Sequence, residues 1–290
     1  MYRESILKIL IFVALSYVFA LIIDFIAIIF NSTAFIWGFL RMWSVTLSVV
    51  ICLAIYGENI YMNFKQFFIL SKKTFIYYLI APLIVYGSLG IYIAIALPLG
   101  FFDFNAYVGV IANAIRSTIA SLPEEQVLNL ATITAYSQIA SGYIAAISIN
   151  AFFAIGEEIG WRGYLYRVLG FKPSLMNIIV IGCIWGFWHS SATLLLGYNY
   201  TVNRYIGVML FTLYAMALTY PHLLVSKETG SVMPAASLHG AVNALWGLTI
   251  VASNLSIELR EVLLGLGLLG IVSWIITSIV LYIIHLKRMR

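Results

Sequence analysis

Charged residues are scarce in this sequence, and their scarcity excludes an ordinary soluble domain. Lys, Arg, Asp and Glu together make up 9% of the 290 residues, whereas 63% are hydrophobic. A soluble globular domain carries about 25% charged residues. Apolar runs of about 20 residues, the length that crosses a bilayer as a helix, recur along the chain. The alternating pattern of a membrane β-barrel is missing, so the sequence predicts an all-α, polytopic membrane helical bundle.

The apolar runs predict about eight transmembrane helices. They lie at approximately residues 6–30, 34–56, 74–100, 130–156, 175–197, 204–225, 232–254 and 262–286. The fourth helix is expected to continue past Trp161 at the membrane edge. Residues 101–129 are a mixed linker in which we expect a short interfacial helix. No soluble domain, low-complexity tract or internal repeat is visible, so residues 1–290 are interpreted as a single membrane domain.

Cysteine is nearly absent, which excludes a disulfide framework. The two cysteines, Cys52 and Cys183, both fall inside predicted spans, where an isolated cysteine serves as a small apolar packing residue. Soluble zinc-protease, Gly-x-Ser-x-Gly and phosphate-loop motifs are also missing. The chemistry of this chain must therefore come from residues on separate helices.

Basic residues are distributed unevenly between the predicted loops. All but four of the 16 Lys and Arg lie on the side of the N-terminus, and the exceptions are Arg41, Arg116, Arg204 and Arg260. This bias predicts that both termini are cytoplasmic. The net charge of +5 then suits anionic lipid headgroups. No dense basic cluster with interleaved aromatic residues is present, so we predict membrane lipid and no nucleic acid as partner.

Two adjacent glutamates and an arginine interrupt the apolar run NAFFAIGEEIGWRGYLY, which covers residues 150–166. Glu158 and Arg162 stand at i and i+4 with the acid first, the favourable order for a helical ion pair, and a forked hydrogen bond is expected between them. Glu157 points about 100° away and has no such partner on its helix. Intramembrane acids mark functional sites by default, and the alternative is a helix end at the interface where Arg162 snorkels.

Two of the four histidines lie deep in predicted spans. His189 lies in the fifth span and His239 in the seventh, with Asn243 at i+4 from His239 on the same helix face. His222 and His285 are interpreted as interfacial. Glycines that permit close helix approach accompany each motif; they are Gly156, Gly160, Gly163, Gly182, Gly186 and Gly240. Glu157, His189, His239 and Asn243 are therefore predicted to line one wet cavity.

Such a cavity has the equipment to hydrolyse an amide. A glutamate and a histidine together take a proton from water, and a second histidine and an asparagine amide donate hydrogen bonds to a developing oxyanion. The alternative is a zinc ion bound by Glu157, His189 and His239 from three different helices. The spacing of the residues does not decide between the two schemes.

The three motifs, in this order, resemble the CPBP family, which comprises CAAX proteases and bacteriocin-processing enzymes and is also called the ABI family of membrane proteases. The motif E-E-x-x-x-R runs from Glu157 to Arg162, F-x-x-x-H is WGFWH and ends at His189, and H-x-x-x-N runs from His239 to Asn243. Together they cover approximately residues 150–250. Trp185 stands where the family usually has Phe, and as an aromatic residue at i−4 it is expected to pack against the His189 ring.

The resemblance implies an intramembrane endopeptidase. The motifs imply that Glu157 activates the water and that His189 assists it. They imply that the oxyanion is stabilised by His239 and Asn243, and that Glu158 and Arg162 support the site. The family is often called metalloprotease, but a metal-free glutamate mechanism is also argued for it, so no cofactor is certain and zinc is the alternative.

The resemblance also bears on substrate and location. Eukaryotic members of the family cut after a prenylated cysteine, and bacterial members are linked to peptide maturation, bacteriocin self-immunity and quorum signals. The expected substrate is a membrane-associated peptide or protein, lipidated or a bacteriocin or signal precursor. The expected location is a bacterial plasma membrane.

Two other functions stay open on the sequence. A non-catalytic immunity or scaffold protein would bind a peptide in the same cavity, because motifs alone do not prove turnover. A proton-coupled transporter would use Glu157 and the histidines as a relay, and Asp24, isolated in the first span, fits that use. The alternative for Asp24 is an acid that is hydrogen-bonded within the bundle.

Overall fold

The computed structural model describes residues 2–289, and over that range every regular element is a helix. In chain order the α-helices are α1 Tyr2–Ile29, α2 Ala34–Ile55, α3 Ile60–Phe67, α4 Lys72–Ala96, α5 Phe104–Thr118, α6 Glu124–Ala146, α7 Ile149–Glu158, α8 Tyr166–Val168, α9 Leu175–Trp188, α10 Arg204–Thr229, α11 Met233–Leu245, α12 Leu248–Val251, α13 Ile257–Leu263 and α14 Leu268–Met289. Two π-helices, Ile159–Leu165 and Ala192–Leu196, follow α7 and α9. The prediction of an all-α membrane bundle is confirmed.

Six helical segments are long and apolar enough to cross a membrane, and a seventh is added if α6 and the helix after it count as one span bent by 49°. The difference from the eight predicted spans lies at residues 232–254. That stretch folds as α11, which has 13 residues, followed by the four-residue α12. Helices α4, α6, α7 and α10 surround α11, so protein instead of lipid covers its short length. The predicted helix in the 101–129 linker is α5, which packs against α6.

The three motifs lie on helices that pack against one another in the middle of the bundle. The first motif starts at the end of α7, the second lies on α9 and the third on α11. Helix α11 packs against α7, α9 packs against α10, and α10 in turn packs against α11. Helix α2 also packs against α7. This arrangement brings residues more than 80 positions apart to one place.

Glycines at the helix crossings permit this close packing. A Cβ atom added at Gly186 in α9 would lie 2.5 Å from the backbone Cα of Thr212 in α10. A Cβ atom added at Gly240 in α11 would lie 2.7 Å from the carbonyl oxygen of Ala146. Small residues at such contacts let helix backbones approach closely in a membrane. The glycines that accompany the motifs thus set the distance between the helices that carry them.

The Gly186→Ala variant is expected to be less stable than wild type by about 1–3 kcal/mol, because its methyl group meets backbone that cannot move aside cheaply. The matched control is Gly90→Ala in α4, where an added Cβ meets nothing within 4 Å. The control should be neutral or stabilised by up to about 1 kcal/mol, since alanine is the better helix former. Thermal unfolding of both proteins in detergent measures the difference. Equal midpoints for the two variants would contradict the packing described for α9 and α10.

Candidate active site

The glutamate pair lies inside the bundle, where α7 passes into the first π-helix. The exposed fraction is 2% for Glu157 and 0% for both Glu158 and Arg162. π-helical turns inside longer helices occur frequently at functional sites. The full burial of Arg162 contradicts the alternative in which its side chain snorkels to the interface.

Glu158 is the acid that pairs with Arg162, as predicted. Arg162 Nη1 donates to Glu158 Oε1 over 2.9 Å, and the predicted forked bond is wrong because only this one N–H reaches the carboxylate. Glu158 Oε1 also accepts from His239 Nδ1 over 2.9 Å. Three buried atoms of the pair, Glu158 Oε2 and Arg162 Nε and Nη2, have no hydrogen-bond partner within residues 2–289. Glu158 therefore joins the first motif to the third.

Glu157 is held by neutral donors. Its Oε2 accepts from the indole N–H of Trp161 over 3.1 Å and from that of Trp185 over 2.7 Å. Its Oε1 accepts no hydrogen bond in the described part of the chain. The tryptophan at position 185 thus adds a hydrogen bond that the usual phenylalanine cannot make, besides lying edge-on to the His189 ring at 6.3 Å between centroids. Glu157 is fixed in place with one oxygen left for a ligand.

Both motif histidines are oriented through Nδ1. His189 Nδ1 lies 2.9 Å from the carbonyl oxygen of Trp185. A carbonyl only accepts, so this nitrogen carries the proton and the lone pair of neutral His189 is on Nε2. His239 Nδ1 faces Glu158 in the same way. The exposed fractions of His189 and His239 are 8% and 5%, and the Nε2 atom of each ring is left free to meet a ligand.

One cavity of about 250 Å³ is lined by all four predicted site residues, Glu157, His189, His239 and Asn243. Asn243 makes no side-chain hydrogen bond within residues 2–289, so its amide is free to donate. Apolar side chains supply much of the wall; they are Met42, Phe211, Ala215, Leu218, Val242, Ile250 and Leu266. The predicted convergence of the three motifs is therefore observed.

His222 is a residue that the sequence-based interpretation missed. It was expected at the interface after Pro221, but it is 0% exposed, because α10 continues through the proline to Thr229. Its ring lies 6.0 Å from that of His239 and 5.6 Å from that of Trp185, between centroids. Its Nε2 is buried without a partner in the described chain. The length of the apolar run up to residue 225 was the only signal that placed it within a helix.

Asp24 and Arg41 form a second buried ion pair beside the cavity. Arg41 Nε donates to Asp24 Oδ1 over 3.0 Å, and the exposed fractions are 3% and 0%. Asp24 also accepts from Trp37 Nε1 and Ser191 Oγ. Asp24 and Arg41 lie on either side of the short turn between α1 and α2. Their positions were the feature of the sequence from which this ion pair could have been predicted. Asp24 is thus hydrogen-bonded within the bundle, as its alternative interpretation predicted.

The buried acids and histidines differ in how closely their ligand atoms approach one another. Two ligand atoms of one zinc ion lie at most about 4.4 Å apart, twice the length of a zinc–oxygen or zinc–nitrogen bond. Among residues 2–289, the one set of three ligand residues whose atoms lie within 4.8 Å of one another is Glu158, His222 and His239. Glu157, His189 and His239 are spread too widely to surround one ion as placed. A zinc ion held by Glu157, His189 and His239 stays a prediction, and the proposed mechanism does not use it.

Part of the chain matches a known protein family. Residues 139–245 match the family described as Rce1-like, type II CAAX prenyl endopeptidase. No curated protein and no solved structure matches the chain. The matched segment includes all four candidate catalytic residues, together with Glu158, Arg162 and Trp185. The resemblance to the CPBP family is thereby confirmed: over the segment that holds the three motifs, this helical membrane protein is similar to a family of endopeptidases.

Proposed function

We propose that the protein is an intramembrane endopeptidase that hydrolyses a peptide bond with water activated by Glu157 and His189. The observation that carries the proposal is the state of Glu157: it is buried, one oxygen is held by two indole N–H groups, and the other has no hydrogen-bond partner within residues 2–289. It shares one cavity with His189, His239 and Asn243. A fixed carboxylate with an uncommitted oxygen beside a histidine lone pair suits general-base catalysis.

In the first step Glu157 Oε1 removes a proton from water, while His189 Nε2 accepts a hydrogen bond from the same molecule. The water oxygen then forms a bond to the carbonyl carbon of the substrate, and the carbonyl oxygen becomes an oxyanion. When the C–N bond breaks, Glu157 returns the proton to the leaving amine. The products are a carboxylic acid and an amine, and the enzyme regains its starting state.

The oxyanion is stabilised by His239 and Asn243, which are one turn apart on α11. The Asn243 amide donates without any change of protonation. His239 Nε2 donates only when the ring is an imidazolium, since Nδ1 already carries the proton that faces Glu158. The Glu158 carboxylate supports that cation. Donors aimed at the developing charge are typically worth about 10²–10³-fold in kcat each.

The substrate is proposed to be a membrane-associated peptide or protein, either lipidated or a bacteriocin or signal precursor. The apolar cavity wall supports a substrate with aliphatic side chains near the cleaved bond. The prenyl endopeptidase description of the matching family supports a lipidated substrate. A bacterial plasma membrane is the proposed location. The distribution of Lys and Arg supports the proposal that both termini are cytoplasmic.

The function is tested by incubating purified protein in lipid vesicles with a farnesylated peptide, its unlipidated counterpart and a precursor peptide, and by identifying products with mass spectrometry. We expect cleavage of at least one peptide, and we expect it to survive a chelator, because the proposed steps use only the side chains of Glu157, His189, His239 and Asn243. The chelator is added at increasing concentrations, and the metal content of the active protein is measured alongside.

Two outcomes would contradict this expectation in different ways. Stoichiometric zinc, with cleavage lost on chelation and restored by added zinc, would overturn the metal-free mechanism but leave the peptidase in place. Binding of peptides without any product would favour the non-catalytic scaffold or immunity protein. Protection against a bacteriocin by the Glu157→Gln protein would favour it further.

A further inference from the structure

Residues 197–203, the strap, connect the second π-helix to α10. Two of them, Tyr198 and Asn199, line the same cavity as Glu157. The Tyr198 ring also contacts the ring of Trp37 in α2, with 5.0 Å between the centroids. Connections are usually more mobile than the helices they join, so this part of the cavity wall keeps its shape only if the strap is held in place.

The strap is anchored by Glu261, a buried acid on α13 that is 5% exposed. Glu261 Oε1 accepts from the backbone N–H of Thr201 over 2.6 Å and from the Thr201 hydroxyl over 2.8 Å. Glu261 Oε2 accepts from the backbone N–H of Asn203 over 2.8 Å and from the Asn203 side-chain amide over 3.1 Å. The backbone N of Val202 lies 3.2 Å from Oε1 and 3.3 Å from Oε2. The carboxylate therefore binds three successive backbone N–H groups at the start of α10, where a negative charge is favoured.

The anchor requires a carboxylate. All its partners are neutral, and Glu261 forms no ion pair within residues 2–289. A buried charge is costly unless hydrogen bonds compensate it, and here donors reach both oxygens. A glutamine would accept on one side only and would turn its own NH₂ group toward N–H donors on the other. Glu261 is not among the described residues that line the cavity, so it acts on the cavity through the strap.

Tyr200 is a second anchor in the middle of the strap. It is fully buried, and its hydroxyl donates to the carbonyl oxygen of Leu266 over 2.9 Å. Its ring packs against Gly207 in α10, where an added Cβ atom would lie 2.4 Å from the Tyr200 Cγ atom. The strap is thus fixed at Tyr200 and at residues 201–203, directly after the two residues that line the cavity.

We propose that Glu261 is a positioning residue for peptide binding, which fixes the strap so that Tyr198 and Asn199 keep the shape of the wall against which the peptide lies. This inference rests on the proposed peptidase function. Glu261 lies outside residues 139–245, the segment that matches the endopeptidase family, and none of the candidate catalytic residues is on the strap. Loss of the anchor should therefore weaken peptide binding and leave the cleavage step itself little changed.

The test compares Glu261→Gln with wild type in lipid vesicles, with a farnesylated peptide as the probe. We expect KM to rise about tenfold, the effect of about one hydrogen bond to a charged group, with kcat within about twofold of wild type. In the Glu157→Gln background, where turnover is slow, the dissociation constant of the peptide should rise by a similar factor. Glu258→Gln is the matched control, because Glu258 is an exposed acid about one turn earlier on α13. It should keep the wild-type KM.

A second set of variants separates positioning from a general loss of stability. Tyr198→Ala should also weaken peptide binding, because it removes a side chain from the cavity wall. Combining it with Glu261→Gln should weaken binding no further, since two changes that act through one contact do not add. If Glu261→Gln does not fold, Thr201→Val removes one donor to the carboxylate while keeping the charge, and KM should rise by a smaller factor.

A lower unfolding midpoint with unchanged KM and dissociation constant would show that Glu261 serves only the fold, and would overturn the inference. Fully additive effects of Tyr198→Ala and Glu261→Gln, or no binding of the peptide at all, would overturn it too. Failure of the proposed function gives a different result. Cleavage with the wild-type KM by Glu261→Gln removes the role of the strap and leaves the peptidase. Weaker binding by Glu261→Gln, with no cleavage by the Glu157-intact protein, keeps the role of the strap and removes the peptidase.

Discussion

Glu157→Gln is expected to reduce peptide cleavage by about 10²–10⁴-fold while leaving the protein folded. An amide cannot accept the proton of the attacking water, so the variant loses general-base catalysis. The fold is expected to survive because the glutamine carbonyl oxygen accepts the same two indole N–H bonds that Trp161 and Trp185 give to Oε2. The loss should appear in kcat, with peptide binding little changed, since the shape of the cavity is kept.

The measurement is single-turnover cleavage in vesicles, with thermal unfolding of the same preparation as the check on folding. Glu125→Gln is the matched control, because Glu125 is an exposed acid on the first turn of α6, outside the cavity. It should cut as fast as wild type. A Glu157→Gln protein that cuts at the wild-type rate would show that another group activates the water.

Much of the fold and of the candidate site was accessible from the sequence. Charge scarcity and apolar run length predicted the helical membrane bundle, because a bilayer leaves few other folds for such a chain. The pairing of Glu158 with Arg162 followed from helical spacing alone. Placing His189 and His239 in one cavity required the assumption that separate helices converge, which the described structure bears out.

The rest depends on contacts between helices, which local patterns do not encode. The Trp185 indole bond to Glu157 spans 28 positions, and the His239 bond to Glu158 spans 81. Periodicity predicts which face a residue occupies but not which helix meets that face. The seventh predicted span was too long for the same reason. Helix α11 is apolar because protein surrounds it, and a segment buried in protein has the same apolar composition as one buried in lipid.

Glu158→Gln is expected to destabilise the protein by about 3–5 kcal/mol. Glu157→Gln, in contrast, is expected to slow cleavage while leaving the protein folded. The Glu158 substitution leaves the Arg162 guanidinium, which is 0% exposed, without its anion. An uncompensated buried charge carries a penalty of that size. The measurement is the unfolding midpoint in detergent, together with the yield of monodisperse protein. A wild-type midpoint would show that water or another group compensates Arg162.

Removing both charges together separates structural support from catalytic support. In Glu158→Gln with Arg162→Met no unpaired charge remains, and an apolar replacement of a buried pair is often neutral or stabilising. The pair is also poorly satisfied, since Arg162 Nε and Nη2 have no partner in the described chain, so we expect the double variant to recover most of the lost stability. Cleavage should stay below the wild-type rate, because a neutral amide still accepts the His239 Nδ1 proton but no longer supports an imidazolium. Recovery of stability and full activity together would show that Glu158 serves only to neutralise Arg162.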